Sequence, residues 1–243
     1  RHAERTGLFP KRHAIYRQYL AFAESLLDKI DAWQGKITMD QLDLSDPDGL
    51  RTQIGQGRGQ IFVCSHLGNM ELCRAMAMQT PGLRLNVLVH SKNAVLFNQV
   101  LNHAGANALN LIQVSELDPQ IMLDLNNKLA RGEWLAIAGD RTPLHGRRVT
   151  SVQFLGAAAH LPQGPWLLAG LLRCPINTLF CTRRQGRFHV AMRRLSAEVN
   201  WTRATRDSEV ARHAQRYADA LAGACIEAPL QWFNFYPFWA SNA

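Results

Sequence analysis

No apolar run long enough to cross a bilayer occurs in these 243 residues, and no secretory signal opens them. That excludes a membrane-spanning helix within the sequence and predicts a soluble or peripheral chain. The sequence begins at Arg1 rather than Met, so the expectation covers these residues alone. No Cys-x-x-Cys pair is present. The five cysteines, at 64, 73, 174, 181 and 225, suggest no zinc site and read as buried free thiols in a reducing compartment. A Gly-x-Ser-x-Gly nucleophile elbow is also missing, which argues against an α/β hydrolase.

Gly55-Gln56-Gly57-Arg58-Gly59 precedes a predicted strand instead of following one, so it reads as a turn. A phosphate-cradling or dinucleotide loop needs the opposite order, which disfavours a Rossmann oxidoreductase. Asp46-Pro47-Asp48 follows no hydrophobic strand, so a glycosyltransferase metal motif is rejected. It reads as a helix start with Pro47 at the first position.

Acid is scarce relative to base: 19 Asp and Glu against 27 Lys and Arg, a net charge of +8. Such a balance favours an anionic partner. No nucleic-acid motif or long basic run accompanies it, so a membrane surface or acidic substrate is preferred to nucleic acid.

A strand-to-helix stretch, Ile61-Phe62-Val63-Cys64-Ser65-His66-Leu67-Gly68-Asn69-Met70-Glu71, organises the chain. Its first half is apolar and reads as a buried strand; Met70 to Met78 reads as a helix. In open α/β sheets, ligands bind beyond the carboxyl ends of strands, where His66 falls. With Asn69 as the helix cap, Glu71 lies in the first turn and can fold back onto one imidazole nitrogen. The other nitrogen then faces the cleft as a general base. Nine histidines and nineteen acids make this spacing expected by chance. The position at a strand end is what carries the signal.

A periodic helix over residues 11–34 carries Ile15, Tyr16, Tyr19, Leu20, Phe22, Ala23, Leu26, Leu27, Ile30 and Trp33 on a wide apolar face. Its default reading is packing on the core. Lying on a membrane is compatible if the flank with Lys11, Arg12 and Arg17 faces lipid. Lys36 to Asp40 is predicted as a short strand. Further strands are predicted over 83–89, 109–114, 133–138 and 149–155, with helices over 93–103 and 119–130. Ala157 to Pro162 leads into a helix over 164–172. Paired strands over 176–182 and 188–194 follow, then a helix over 205–226. The alternation predicts an α/β fold: a mostly parallel, doubly wound sheet flanked by helices, with an N-terminal amphipathic helix. One domain spans 1–243, with a helical segment over 1–34 and the α/β core over 58–243. Gly139-Asp140-Arg141-Thr142-Pro143 ends a strand on the same rim as His66. There Arg141, held by Asp140, suits a phosphate or carboxylate. The aromatics from Trp232 to Trp239 read as core cover by default.

Ser65-His66-Leu67-Gly68-Asn69-Met70-Glu71-Leu72 resembles the His-x4-Asp/Glu block of the lysophospholipid acyltransferase superfamily. It is closest to the lipid A biosynthesis (lauroyl/myristoyl) acyltransferase branch, which is bacterial. The resemblance continues through Asp140, Ser151-Val152-Gln153-Phe154-Leu155-Gly156-Ala157, a Gly-Pro helix, a Cys-Pro-Ile strand and Pro229-Leu230-Gln231-Trp232. It departs at Ser65, where an Asn is common elsewhere in the superfamily, and at Asn234-Phe235-Tyr236-Pro237, which replaces a basic string. Lys92 or His103 stands for a basic residue after the second helix.

The resemblance implies transfer of a fatty acyl chain from an acyl carrier protein or coenzyme A thioester to a hydroxyl of a lipid or glycolipid. No bound cofactor or metal is implied. His66 is the implied base and Glu71 its orienter, with helix-start amides near Asn69 for the oxyanion. Asn69, Asp140, Arg141 and Gly156 are implied to bind substrate. The implied setting is the cytoplasmic face of the inner membrane, peripheral to an anionic surface. A non-catalytic lipid-binding module keeping the fold is the competing reading, and turnover separates the two.

Overall fold

The structure, a computed structural model, describes residues 13–89, 109–113, 118–141, 148–235 and 238–239. The predicted helix over 93–103 and the residues Thr142 and Pro143 lie outside them. A seven-stranded sheet forms the centre, in the order β1-β9-β8-β2-β5-β3-β4. Its strands are β1 (Leu42–Ser45), β2 (Ile61–Gly68), β3 (Leu85–Val89), β4 (Leu109–Gln113), β5 (Trp134–Ala138), β8 (Ile176–Arg184) and β9 (Arg187–Ser196). From β8 to β4 every pairing is parallel; β9 runs antiparallel to β8, and β1 joins β9 in parallel. A separate hairpin pairs β6 (Val149–Phe154) with β7 (Ala157–Pro162).

Alternation along the central strands sorts side chains into two layers. Ile61, Val63 and Leu135 face one layer, which is filled from the helices α3 (Pro119–Ala130), α4 (Gly164–Leu172) and α5 (Arg206–Glu227). Phe62, Cys64, Trp134 and Ala136 face the other, closed by Leu72, Cys73 and Ala77 of α2 (Met70–Gln79) and Ala32 of α1 (Ala14–Trp33). Helices on both faces are what a mostly parallel sheet needs, since its strands are buried on both sides. The fold class therefore agrees with the expectation. All five cysteines are free and buried.

Three local expectations are corrected. Lys36 to Asp40 is no strand: the Thr38 amide donates to Gln41 Oε1 and starts a 3-10 turn, and the strand begins only at Leu42. Asp46 opens no α-helix. Its carboxylate accepts from the Leu50 and Arg51 amides, and only a 3-10 turn over Arg51–Gln53 follows. Ala157 to Pro162 is a strand. Leu155 and Gly156, at φ 49° and 83°, form a two-residue turn that returns the chain onto β6.

The N-terminal helix also departs from its default reading. Its apolar face points mostly outward, with exposure from 43% at Leu26 to 74% at Ile15. The inner side is narrower, with Ser25 and Ala32 buried.

Candidate active site

Strand β2 runs past the predicted turn and ends at Gly68. Register shifts between Cys64 and Gly68, so the last residues bend away from the regular ladder. Gly68 has φ 68°, and a Cβ there would stand 1.7 Å from the Cys181 carbonyl oxygen. No other residue fits that approach. Asn69 then caps α2, with Oδ1 accepting from the Leu72 amide at 3.3 Å and Nδ2 donating to the Ser25 carbonyl at 3.3 Å. The cap is as predicted. Both ends of this buried side chain are engaged by the fold, and the Leu72 amide, one of those expected to face an oxyanion, is engaged with it.

At the end of β5 the Asp140 side chain is fully buried. Its Oδ1 accepts from His66 Nδ1 at 2.8 Å, and its Oδ2 accepts from the His66 amide at 2.8 Å and the Trp232 indole at 3.1 Å. Three donors converge on one carboxylate, which only accepts when ionised. Nδ1 of the neutral ring therefore carries the proton, and Nε2 carries the lone pair. Nε2 has no partner among the described residues, and the His66 side chain keeps 35% of its exposure.

The carboxylate beside Nδ1 is thus Asp140, not the expected Glu71. Glu71 lies in the first turn of α2 with one carboxylate oxygen buried. The second expectation changed is that Asp140 holds Arg141. Instead Arg141 Nε donates to Asn234 Oδ1 at 3.2 Å and Nη2 to the Phe233 carbonyl at 3.1 Å. Gly156 sits at the exposed tip of the β6–β7 hairpin.

The C-terminal segment 231–235 lies along the end of β2 as a strap. The Gly68 amide donates to the Gln231 carbonyl at 2.8 Å, and the Phe233 amide to the His66 carbonyl at 3.1 Å. Gln231 pins it sideways: its Oε1 accepts from the Arg183 amide and its Nε2 donates to the Arg183 carbonyl. Trp232 packs edge-on to Phe154 of the hairpin and to Phe238. From α1, Gln18 Nε2 donates to the Trp232 carbonyl at 3.0 Å, and Phe22 meets the rings of Phe233 and Phe235. Reading the aromatics as core cover missed this: Trp232 reaches Asp140. Only the Pro229-Leu230-Gln231-Trp232 block hinted at it.

A second brace comes from α5. The Tyr217 hydroxyl donates to the Cys64 carbonyl at 2.7 Å, the same oxygen that accepts from the Gly139 amide at 2.8 Å. Burial, with the Asp140 charge adding, pushes this phenol well above its ordinary pKa and keeps it a neutral donor. Beside the strap a polar cavity of about 330 Å³ is lined by Ser25, Asp28, Asn69, Arg183, Gln231 and Phe233 among others. The His66 ring does not line it. Asp28 faces Arg183 there at 3.2 Å, and burial outweighs that partner, so its carboxyl titrates above the usual range.

Among the described residues no group of His, Cys, Asp and Glu could hold a metal ion. A half-exposed imidazole with a buried carboxylate behind it thus stands at the carboxyl ends of parallel strands, where ligands bind in open α/β sheets. The chain belongs to the bacterial lipid A biosynthesis acyltransferase family, whose model matches residues 11–241. It is also similar to a phosphatidylinositol mannoside acyltransferase of Mycolicibacterium smegmatis, at 22% identity over 206 residues, 84% of this chain. The chain spans 64% of that relative's length.

Proposed function

We propose that this acyltransferase moves a fatty acyl chain from an acyl carrier protein or coenzyme A thioester to a hydroxyl of a lipid or glycolipid, with His66 as the base. The 2.8 Å contact of His66 Nδ1 with buried Asp140 carries the proposal, because it frees Nε2 for proton transfer. Nε2 takes the acceptor hydroxyl's proton as the oxygen attacks the thioester carbonyl. The carbon–sulfur bond then breaks, and the imidazolium returns the proton to the leaving thiolate. Ester and free thiol are the products. Asp140 stabilises the imidazolium between the two steps. The glycolipid class of acceptor is supported by the family and by the mannoside relative.

The protein is further proposed to act at the cytoplasmic face of a bacterial inner membrane, bound peripherally to anionic lipid. The outward apolar face of α1 and the +8 charge support this. No described helix is long and apolar enough to cross a membrane.

The test is transfer of labelled palmitate from palmitoyl-coenzyme A and palmitoyl-acyl carrier protein to extracted bacterial glycolipids. His66→Ala is expected to lower kcat by about 10²–10⁴, while the melting temperature falls by a few degrees because buried Asp140 loses one of its donors. Wild-type turnover in that variant removes His66 as base. Cosedimentation with phosphatidylglycerol vesicles is expected to weaken as salt rises, and equal binding to neutral vesicles would contradict the anionic surface.

A further inference from the structure

The third donor on Asp140 has no part in the proton transfer just described. We infer that Trp232 is a positioning residue: its indole N–H fixes the Asp140 carboxylate so that His66 is held as the Nδ1–H tautomer. The inference rests on the proposed role of His66 and extends it to the C-terminal strap.

Asp140 is fully buried and binds His66 twice, once through each oxygen. The amide contact on Oδ2 anchors the carboxylate to the end of β2, yet rotation about that contact would carry Oδ1 away from the ring. The indole, 3.1 Å from the same Oδ2, takes its second lone pair, and two donors on one oxygen fix the carboxylate plane where one would leave it free to turn. Its own place is heavily constrained. Trp232 is buried, bridges Leu67 in strand fashion, and packs its ring in T-shaped contacts with Phe154, Phe238 and Trp239. A charge-assisted hydrogen bond in a water-excluded site is worth more than a neutral one. Packing alone explains an aromatic at 232. It does not explain why the one polar atom of that ring meets the carboxylate that meets the base.

Trp239 provides the internal control. It belongs to the same aromatic cluster, but its indole donates to the Phe154 carbonyl at 3.4 Å and not to Asp140.

The experiment compares Trp232→Phe and Trp239→Phe with wild type by nitrogen-15 NMR of the histidine rings, by kcat and KM for palmitoyl-coenzyme A, and by melting temperature. Phenylalanine keeps most of the ring packing and removes the N–H. Trp232→Phe is expected to lower kcat about tenfold with KM little changed, the worth of one charge-assisted hydrogen bond. Its His66 resonances are expected to show mixed tautomers. Trp239→Phe is expected to keep the single Nδ1–H tautomer and wild-type kcat. In the wild-type protein the Trp232 indole proton is expected to move as His66 titrates, a readout independent of any variant's folding. Wild-type kcat and a single tautomer in Trp232→Phe, or an indole proton indifferent to the His66 titration, overturns the inference. If His66→Ala remains active, the proposed base fails instead, and the tautomer measurement still reports on Trp232.

Discussion

Two strand ends build the site, each supplies one acid, and the fold treats the two in opposite ways. Glu71 follows β2 by three residues and lies half-buried in the first turn of a helix. Asp140 follows β5 by two residues, is sealed from solvent and is gripped by three N–H donors. Glu71 is near His66 along the chain; Asp140 is 74 residues away and is the one in contact. Chain proximity puts an acid in the neighbourhood of the imidazole, but parallel pairing of β2 with β5 puts one against it.

The largest effect that tests this contrast comes from Asp140→Asn. The amide keeps the shape and can still accept from Trp232, but its NH₂ group faces Nδ1 and favours the wrong tautomer. A loss of about 10²–10⁴ in kcat is expected, with a single His66 tautomer replaced by the other in nitrogen-15 NMR. Turnover close to wild type would break the comparison at its centre.

Next is Tyr217→Phe, which loosens the brace between the two strand ends and leaves the acids alone. The Cys64 carbonyl still accepts from Gly139, so it keeps a partner when the buried phenol hydrogen bond is lost. A cost of about 1–2 kcal/mol is expected, read as a fall of about 3–6 °C in melting temperature, with kcat reduced less than in Asp140→Asn. An unchanged melting temperature would show that the strand ends hold their spacing without α5.

How far the sequence reveals such an arrangement depends on what each feature rests on. Period and capping identify helices wherever the residues themselves carry the pattern: α3 opens at Pro119 as expected, with Asp118 found as its cap, and Asn69 caps α2. They do not say which way an apolar face turns. α1 and α5 both show wide apolar faces in sequence. Val210, Ala214 and Tyr217 of α5 are buried, whereas Ile15, Tyr19 and Leu27 of α1 stay exposed. The run Ala157-Ala158-Ala159 carries no strand propensity, and β7 forms because the Leu155-Gly156 turn lays it on β6. His66 was legible because a polar residue at a strand's end is a local feature. Its pairing with Asp140, and the reach of Trp232 across the strap, come from tertiary register that no local spacing encodes.

Glu71→Gln tests the other acid. Its charge stands in the first turn of α2, where a carboxylate favours the helix start. Because Asp140 occupies Nδ1, the neutral isostere is expected to leave the His66 tautomer unchanged. A fall of about tenfold or less in kcat is expected, arising from the site's local charge. A tautomer shift equal to that of Asp140→Asn would restore Glu71 as the orienter.

The smallest effect is expected at Arg141, beside the buried acid. As a substrate clamp it would need its fork free, but Nε and one Nη already hold the strap through Asn234 and Phe233. The residue is exposed, so each of these bonds contributes about 0.5–1 kcal/mol. Arg141→Ala is therefore expected to lower the melting temperature by about 2–4 °C and kcat a few-fold, through a strap less firmly seated over Asp140. Arg141→Lys keeps the charge but cannot make both bonds, so it should behave much like Ala. Measuring kcat, KM and melting temperature for both variants separates the two roles. A KM raised more than about tenfold at an unchanged melting temperature, and largely rescued by Lys, would mean that charge and not the forked hold on the strap is what matters there. Arg141 would then belong with the groups that grip an anionic substrate, and the β5 strand end would carry both a positioning acid and a binding cation.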